Sequence, residues 1–146
     1  FITQFGSLGM DPGFFDEPVG IAIGVDDRVY IADTWNQRIQ VFESDSTGLM
    51  FSSVQSWDVT AWYGQSIENK PFLAVSDEGQ VFITDPDGYR VLEFNPDGTF
   101  VRGWGAYSSG TDGFGLPCGI AVDAAGRVWV SDAVNTVLLR FTTPLE

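Results

Sequence analysis

Three segments of the chain share one internal spacing, and this repetition constrains the fold more than any other feature of the sequence. In each segment an alanine is followed eleven residues later by an aspartate, and nine residues after that by a phenylalanine. The three sets are Ala22, Asp33 and Phe42, then Ala74, Asp85 and Phe94, then Ala121, Asp132 and Phe141. The alanines are 52 and then 47 residues apart. Fixed spacing within a unit and variable spacing between units is typical of repeated supersecondary blocks joined by surface loops.

Short runs of β-branched and aromatic residues, with turn residues on either side, predict strands inside each unit. No window shows a sustained helical period, so we expect no helix. The predicted strands are 19–24, 28–33, 38–43 and about 49–57, then 72–76, 80–85, 89–94 and 99–104, then 118–123, 127–132 and 137–142. The sequence therefore predicts an all-β chain in three units, at about 19–57, 72–104 and 118–142. Four-stranded antiparallel repeats of about 45 residues are typical of the blades of a β-propeller.

The third unit lacks a fourth strand, and the first six residues have the character of one. Phe1-Ile-Thr-Gln-Phe-Gly ends in an aromatic residue and glycine, as Phe100-Val-Arg-Gly-Trp-Gly does. Because three blades cannot close a ring, we expect a twofold homodimer in which each chain donates Phe1–Gly6 to the partner's third blade. Such a dimer is one six-bladed ring without free sheet edges. The alternative is that the chain is half of a longer propeller, and the terminal Leu145-Glu146, a common cloning scar, indicates a fragment.

Two of the units contain the most characteristic runs of residues. These are Val29-Tyr-Ile-Ala-Asp-Thr-Trp-Asn-Gln-Arg-Ile-Gln-Val-Phe and Pro117-Cys-Gly-Ile-Ala-Val-Asp-Ala-Ala-Gly-Arg-Val-Trp-Val-Ser-Asp. Both runs closely resemble the NHL repeat. The second unit departs from that pattern at Phe72-Leu73 and at Asp87-Gly-Tyr. The resemblance implies a propeller of about six blades that mediates protein–protein contacts. In bacteria, similar segments occur as extracytoplasmic parts of larger membrane-associated proteins, so it also implies, as an alternative, a ligand-binding fragment of such a protein.

Composition excludes several classes of function. The chain has 7 basic and 20 acidic residues, a net charge of −13 and no histidine. An acidic surface repels nucleic acid, and the basic residues are too scattered to form an RNA-binding face. Catalytic triads with histidine and histidine metal sites are absent, and a lone Cys118 excludes an intrachain disulfide. We expect a non-enzymatic module without a cofactor and without a membrane-inserted segment. The alternative implied by the resemblance is a metal-dependent enzyme similar to propeller lyases and lactonases.

Two sets of residues are candidates for a site. Asp33, Asp85 and Asp132 recur at the ends of second strands, and Arg38 and Arg90 follow the first two by five residues. They could form a ring of carboxylates for a ligand or cation, but a residue that recurs in every blade favours a structural role in the turn. The acidic turns at Val25-Asp-Asp and Asp85-Pro-Asp-Gly do not match a calcium-binding loop.

The second set lies in the one long insertion, between the first and second units. Trp57, Trp62 and Tyr63 are candidates for an aromatic platform that binds a protein or a glycan, because inserted loops often carry binding sites. The alternative for Trp57 is a position between two blades, equivalent to that of Trp104.

Overall fold

The computed structural model describes residues 1–63 and 69–142. Within these residues it contains β-strands and no helix, which confirms the all-β prediction. The strands are β1 (Pro18–Ile23), β2 (Val29–Asp33), β3 (Arg38–Ser44), β4 (Phe51–Asp58), β5 (Leu73–Val75), β6 (Val81–Asp85), β7 (Arg90–Phe94), β8 (Phe100–Trp104), β9 (Pro117–Val122), β10 (Arg127–Asp132) and β11 (Val137–Thr142). Each begins and ends within two residues of its predicted bounds.

The strands form three antiparallel sheets, one for each repeat. Their orders are β1-β2-β3-β4, β5-β6-β7-β8 and β9-β10-β11, so consecutive strands are neighbours in every sheet. We call these sheets blades 1, 2 and 3. The repeated aspartate ends the second strand of each blade, where it pairs with the first residue of the third strand, Arg38, Arg90 or Val137. The fixed spacing in the sequence therefore reflects one strand register used three times.

Blade 3 has no fourth strand among the described residues, so β11 is an edge strand. Residues 1–6 form no strand within the single chain, although the sequence predicts one. A strand needs a neighbour that supplies its ladder of hydrogen bonds, and the described part of the chain places none beside these residues. Completion of blade 3 by a partner chain stays a prediction.

The hydrophobic core lies between the blades. One cluster joins Tyr30 and Ile39 of blade 1 to Val81 and Ile83 of blade 2, and a second joins blade 2 to Val128 and its neighbours in blade 3. Strands β2 and β6 are buried along their whole length because they are covered on both faces. This is the packing expected for sheets stacked face to face. Packing against a neighbouring blade is therefore the main source of stability for each blade.

The innermost strands of blades 1 and 2 approach each other closely at a glycine. A Cβ atom placed on Gly20 of β1 would lie 3.2 Å from the backbone of Leu73, the first residue of β5, and of Phe72, which precedes it. This close approach explains a glycine in the middle of a strand, where it otherwise weakens the sheet. The described residues include no helix long and apolar enough to cross a bilayer.

Candidate functional site

Two of the repeated aspartates, Asp33 and Asp132, bind the segment that precedes their blade and also the turn that follows their strand, β2 or β10. The buried carboxylate of Asp33 accepts hydrogen bonds from the backbone N–H of Asp16 at 2.7 Å and from the Arg38 Nε at 2.7 Å. It also accepts hydrogen bonds from the side-chain amides of Asn36 at 2.9 Å and Gln40 at 3.1 Å. These four donors use all of the acceptor capacity of the carboxylate, which leaves no lone pair directed at a ligand.

Asp132 occupies the equivalent position in blade 3, where most of its donors are backbone N–H groups. Its carboxylate accepts hydrogen bonds from the backbone N–H groups of Gly115 at 2.7 Å, Leu116 at 2.9 Å and Asn135 at 3.0 Å. Burial alone would raise the pKa of Asp132, but the hydrogen bonds from Asn135, Gly115 and Leu116 outweigh burial and lower the pKa below 3.8. The charged form is therefore the one that the fold stabilises.

Asp85 of blade 2 is buried but has fewer partners among the described residues. It accepts hydrogen bonds from the Arg90 Nε at 2.7 Å and from the backbone N–H of Gly88 at 3.3 Å. The side chain of Arg90 is 40% exposed, compared with 13% for Arg38. The three aspartates thus occupy one repeat position in three different environments, and each is paired within its own blade. Among the described residues, no group of three or more histidine, cysteine or acidic side chains is arranged to hold a metal ion.

The three aromatic candidates of the insertion do not share one exposed surface. Trp62 is 2% exposed and lies in the core between blades 1 and 2, where its Nε1–H donates to the carbonyl oxygen of Thr84 at 3.0 Å. Trp57 is half-buried against Phe94, with ring centroids 6.1 Å apart. Only Tyr63 is mostly exposed. Residues 64–68 of this candidate loop lie outside the described residues.

Trp57 belongs instead to a set of three aromatic residues that join successive blades. Trp57 packs on Phe94, and Trp104 packs on Phe141 with ring centroids 6.0 Å apart. In the same way Phe5 packs on Phe42, with centroids 5.0 Å apart. The phenylalanine in each pair is the last residue of the repeated spacing. Phe5 therefore occupies, against blade 1, the position that an outer-strand tryptophan of a preceding blade would occupy.

One end of the three-blade stack, which we call the C-terminal end face, is the outer face of blade 3. Trp129 on this face is 38% exposed, whereas the equivalent Tyr30 and Phe82 are 3% and 2% exposed because the next blade covers them. Leu138 is 74% exposed, whereas the equivalent Ile39 and Val91 are fully buried. The same repeat positions that form the core elsewhere are thus open to solvent here.

The opposite end, which we call the N-terminal end face, shows the same reversal on blade 1. Ile21 and Ile23 of β1 are 64% and 58% exposed, whereas Leu73, the equivalent of Ile21 in blade 2, is 5% exposed. The outer part of this face is covered by the chain's own Phe5 and Phe15, which pack on Phe42. The two end faces thus carry the two complementary sides of a blade junction, and both expose apolar side chains of kinds that are normally buried.

Sequence reasoning did not single out the residues of the end faces. The signal was available, because the repeat alignment places Leu138 in register with Ile39 and Val91, and Trp129 with Tyr30 and Phe82. To predict burial from that alignment, one needs to know only whether a blade has a neighbouring blade on each of its two faces. A blade with no neighbour on one side exposes on that side the residues that its equivalents bury.

The arrangement of the sheets defines the class of the protein. It is similar to solved β-propeller structures, among them virginiamycin B lyase from Staphylococcus aureus and a gluconolactonase from Xanthomonas campestris. The first has a TM-score of 0.56 and 12% sequence identity, and the match covers 88% of this chain and 42% of that chain. The second has a TM-score of 0.56 and 19% identity, and covers 82% of this chain and 36% of that chain. At these identities the likeness shows the fold: the chain is a three-bladed segment of β-propeller type.

Sequence comparisons then give the family. The family model of the NHL repeat matches residues 15–42. The Drosophila melanogaster protein brain tumor is 29% identical over 129 residues, which are 87% of this chain and 12% of that protein. Human NHL repeat-containing protein 3 is 34% identical over 71 residues, which are 47% of this chain and 20% of that protein. Residues 15–42 thus match the NHL repeat, and the chain is similar to proteins that contain such repeats, of whose length it spans only a small part.

Proposed function

We propose that this chain is a non-enzymatic protein-interaction module whose first partner is a second copy of itself. Two copies, joined head to tail, bring each N-terminal end face against a C-terminal end face. Three blades from each copy then make one six-bladed ring with two equivalent junctions. The ring in turn serves as a scaffold for contacts with other proteins, as the NHL family resemblance implies.

The observation that carries this proposal is the reversal of burial at equivalent repeat positions. Ile39 and Val91 are fully buried by the blade that follows each of them, and Leu138 is exposed because no blade follows it among the described residues. A further blade restores this environment if it presents to Leu138 the same face that blade 2 presents to Ile39. Blade 1 of a second copy offers that face through Ile21 and Ile23. A second copy therefore supplies the missing neighbour to both ends at once.

Charge sets a condition on this assembly. Each chain carries a net charge of −13, so two copies repel each other at long range. The end faces must overcome this repulsion through apolar contact, which salt does not screen, while added salt screens the repulsion. We therefore expect the dimer to become tighter as the ionic strength rises.

The proposal is tested with a charge placed on an end face. In Ile23→Asp, each junction loses the burial of an isoleucine, which supplies about 1.5–3 kcal/mol, and the dimer contains two junctions. The dissociation constant should rise by at least about a hundredfold, as measured by sedimentation velocity over a range of concentrations. Val101→Asp is the matched control, because Val101 is also exposed but lies on β8 of the middle blade.

Circular dichroism and tryptophan emission establish that both variants remain folded, which we expect because neither side chain is buried in the single chain. Equal dissociation constants for the two variants would contradict the proposal, as would a wild-type chain that sediments as a monomer.

A further inference from the structure

The first sixteen residues repeat the path of residues 100–115. Burial follows the same pattern in residues 1–12 and 100–111, so that Thr3 and Phe5 are half-buried like Arg102 and Trp104, and the residues between them are exposed. Gly6 and Gly105 both have a positive φ, 91° and 104°. A Cβ on either glycine would collide with the phenyl ring of Phe15 or Phe114, so each glycine makes room for an aromatic residue nine positions later.

The hydrogen bonds that follow these glycines are also the same. The backbone N–H of Phe15 donates to the carbonyl oxygen of Ser7 at 2.8 Å, and that of Phe114 donates to Ala106 at 2.9 Å. Each phenylalanine carbonyl in turn accepts a hydrogen bond at 3.0 Å, from Gly9 or from Ser108. Residues 100–104 are the outer strand of blade 2, namely β8. Residues 1–5 therefore have the position of an outer strand relative to blade 1, but the described residues place no sheet beside them to which such a strand would belong.

An edge strand that lacks this partner is present at the other end of the chain. Strand β11 pairs only with β10, and the outer side of β11 is unpaired among the described residues. In blades 1 and 2 the corresponding strands β3 and β7 pair with β4 and β8. An unpaired edge with an exposed apolar residue such as Leu138 is a template for strand addition.

We infer that residues 1–5 of one copy add to β11 of the other as the fourth strand of its blade 3. This inference rests on the proposed dimer and specifies how its junction is built. The register follows from blade 2, where Val91 pairs with Trp104 and Glu93 pairs with Arg102. By repeat equivalence the partner's Phe5 pairs with Leu138, and the partner's Thr3 pairs with Arg140.

The side chains in this register are compatible. In blade 2 the equivalent of the Thr3–Arg140 pair is the ion pair between Arg102 and Glu93, whose Nε and Oε2 atoms are 2.7 Å apart. Like charges directly opposite each other would destabilise the pairing. Thr3 is uncharged, so its position opposite Arg140 brings no like charges together. Phe5 already packs on Phe42 of its own chain, so strand addition leaves its existing contacts in place. The strand thus belongs to the sheet of one copy and to the core of the other.

Disulfide trapping tests this register. In a Cys118→Ser background, one chain carries Thr3→Cys and a second carries Arg140→Cys, and the two are mixed and oxidised gently. Paired residues on antiparallel strands have Cα atoms about 4.5–5.5 Å apart, within the range of a disulfide. We expect a cross-linked species of twice the 16.0 kDa chain mass on non-reducing gels from the mixture, and none from either chain alone.

The control replaces Thr3→Cys with Gln4→Cys. The side chain of Gln4 points to the other face of the strand, so a one-residue shift places its thiol on the wrong side of the sheet. Cross-linking through position 3 should exceed that through position 4 by at least tenfold. Equal yields, or no cross-link in a mixture that light scattering shows to be dimeric, would overturn the strand addition while leaving the dimer intact. A monomeric mixture would instead contradict the dimer itself.

Discussion

Replacement of the repeated aspartates should destabilise the blades unequally, in an order that follows from their partners. Asp33→Ala removes the acceptor of four donors. The Arg38 guanidinium is the most costly of these to leave without a counter-charge, because its side chain is only 13% exposed and keeps only backbone carbonyl acceptors. Loss of one partner of a buried ion pair costs about 3–5 kcal/mol. Asp85→Ala leaves Arg90, which is 40% exposed and can regain hydration. We expect a cost of about 1–2 kcal/mol for that variant, mainly from the backbone N–H of Gly88.

The free energy of unfolding is measured by urea denaturation with tryptophan emission as the signal. All variants are compared at one protein concentration, because association would stabilise the folded chain. The Asp33→Ala variant should lose at least about 2 kcal/mol more than Asp85→Ala. Equal losses, or a larger loss for Asp85→Ala, would refute the reasoning that the exposure of the paired arginine sets the cost.

Two further expectations concern pH and backbone conformation. The pKa of Asp132 is lower in the folded chain than its ordinary value, so its contribution to stability is complete above about pH 4 and is lost as the pH falls through the folded-state pKa. The decline in unfolding free energy below pH 4 should therefore be shallower in Asp132→Asn, and an unchanged acid limb in urea titrations would contradict this. Gly105→Ala should cost more than Gly126→Ala, because both glycines have a positive φ but only Gly105 lies against the ring of Phe114. Each should exceed about 1 kcal/mol, and thermal melting that ranks them in the opposite order would contradict the role assigned to Gly105.

The repeat made the fold predictable from the sequence, because the same strand and turn signals occur three times. Bounds such as 127–132 and 137–142 agree with β10 and β11. Hairpin turns and β-branched runs are local features, so they can be recognised without knowledge of the tertiary structure. The equivalence of Trp57 and Trp104 could also be read from the repeat, and both pack between blades.

The candidate site was less predictable, because burial depends on contacts that are distant in the sequence. Trp62 and Tyr63 are adjacent in an insertion that occurs once, and no periodicity indicated that the first is buried and the second exposed. For the aspartates, the sequence suggested capping of the following turn and pairing with arginine. It gave no indication that Asp33 also binds the backbone of Asp16, 17 residues earlier.

The end faces illustrate a different limit. Sequence repetition alone predicts that Leu138 is as buried as Ile39, because the two occupy the same repeat position. The structure shows that Leu138 is 74% exposed. The difference arises from the number of blades and not from the residue itself. In a repeat protein, the end of a stack exposes core positions that have no neighbouring repeat to cover them.

The most direct test of the proposed ring is the mass of the wild-type chain in solution. Size-exclusion chromatography with light scattering, over a range of protein and salt concentrations, distinguishes one copy from two. We predict twice the mass of the 16.0 kDa chain, with a dimer fraction that increases with ionic strength. A species of 16.0 kDa throughout that range would contradict the six-bladed ring of two copies.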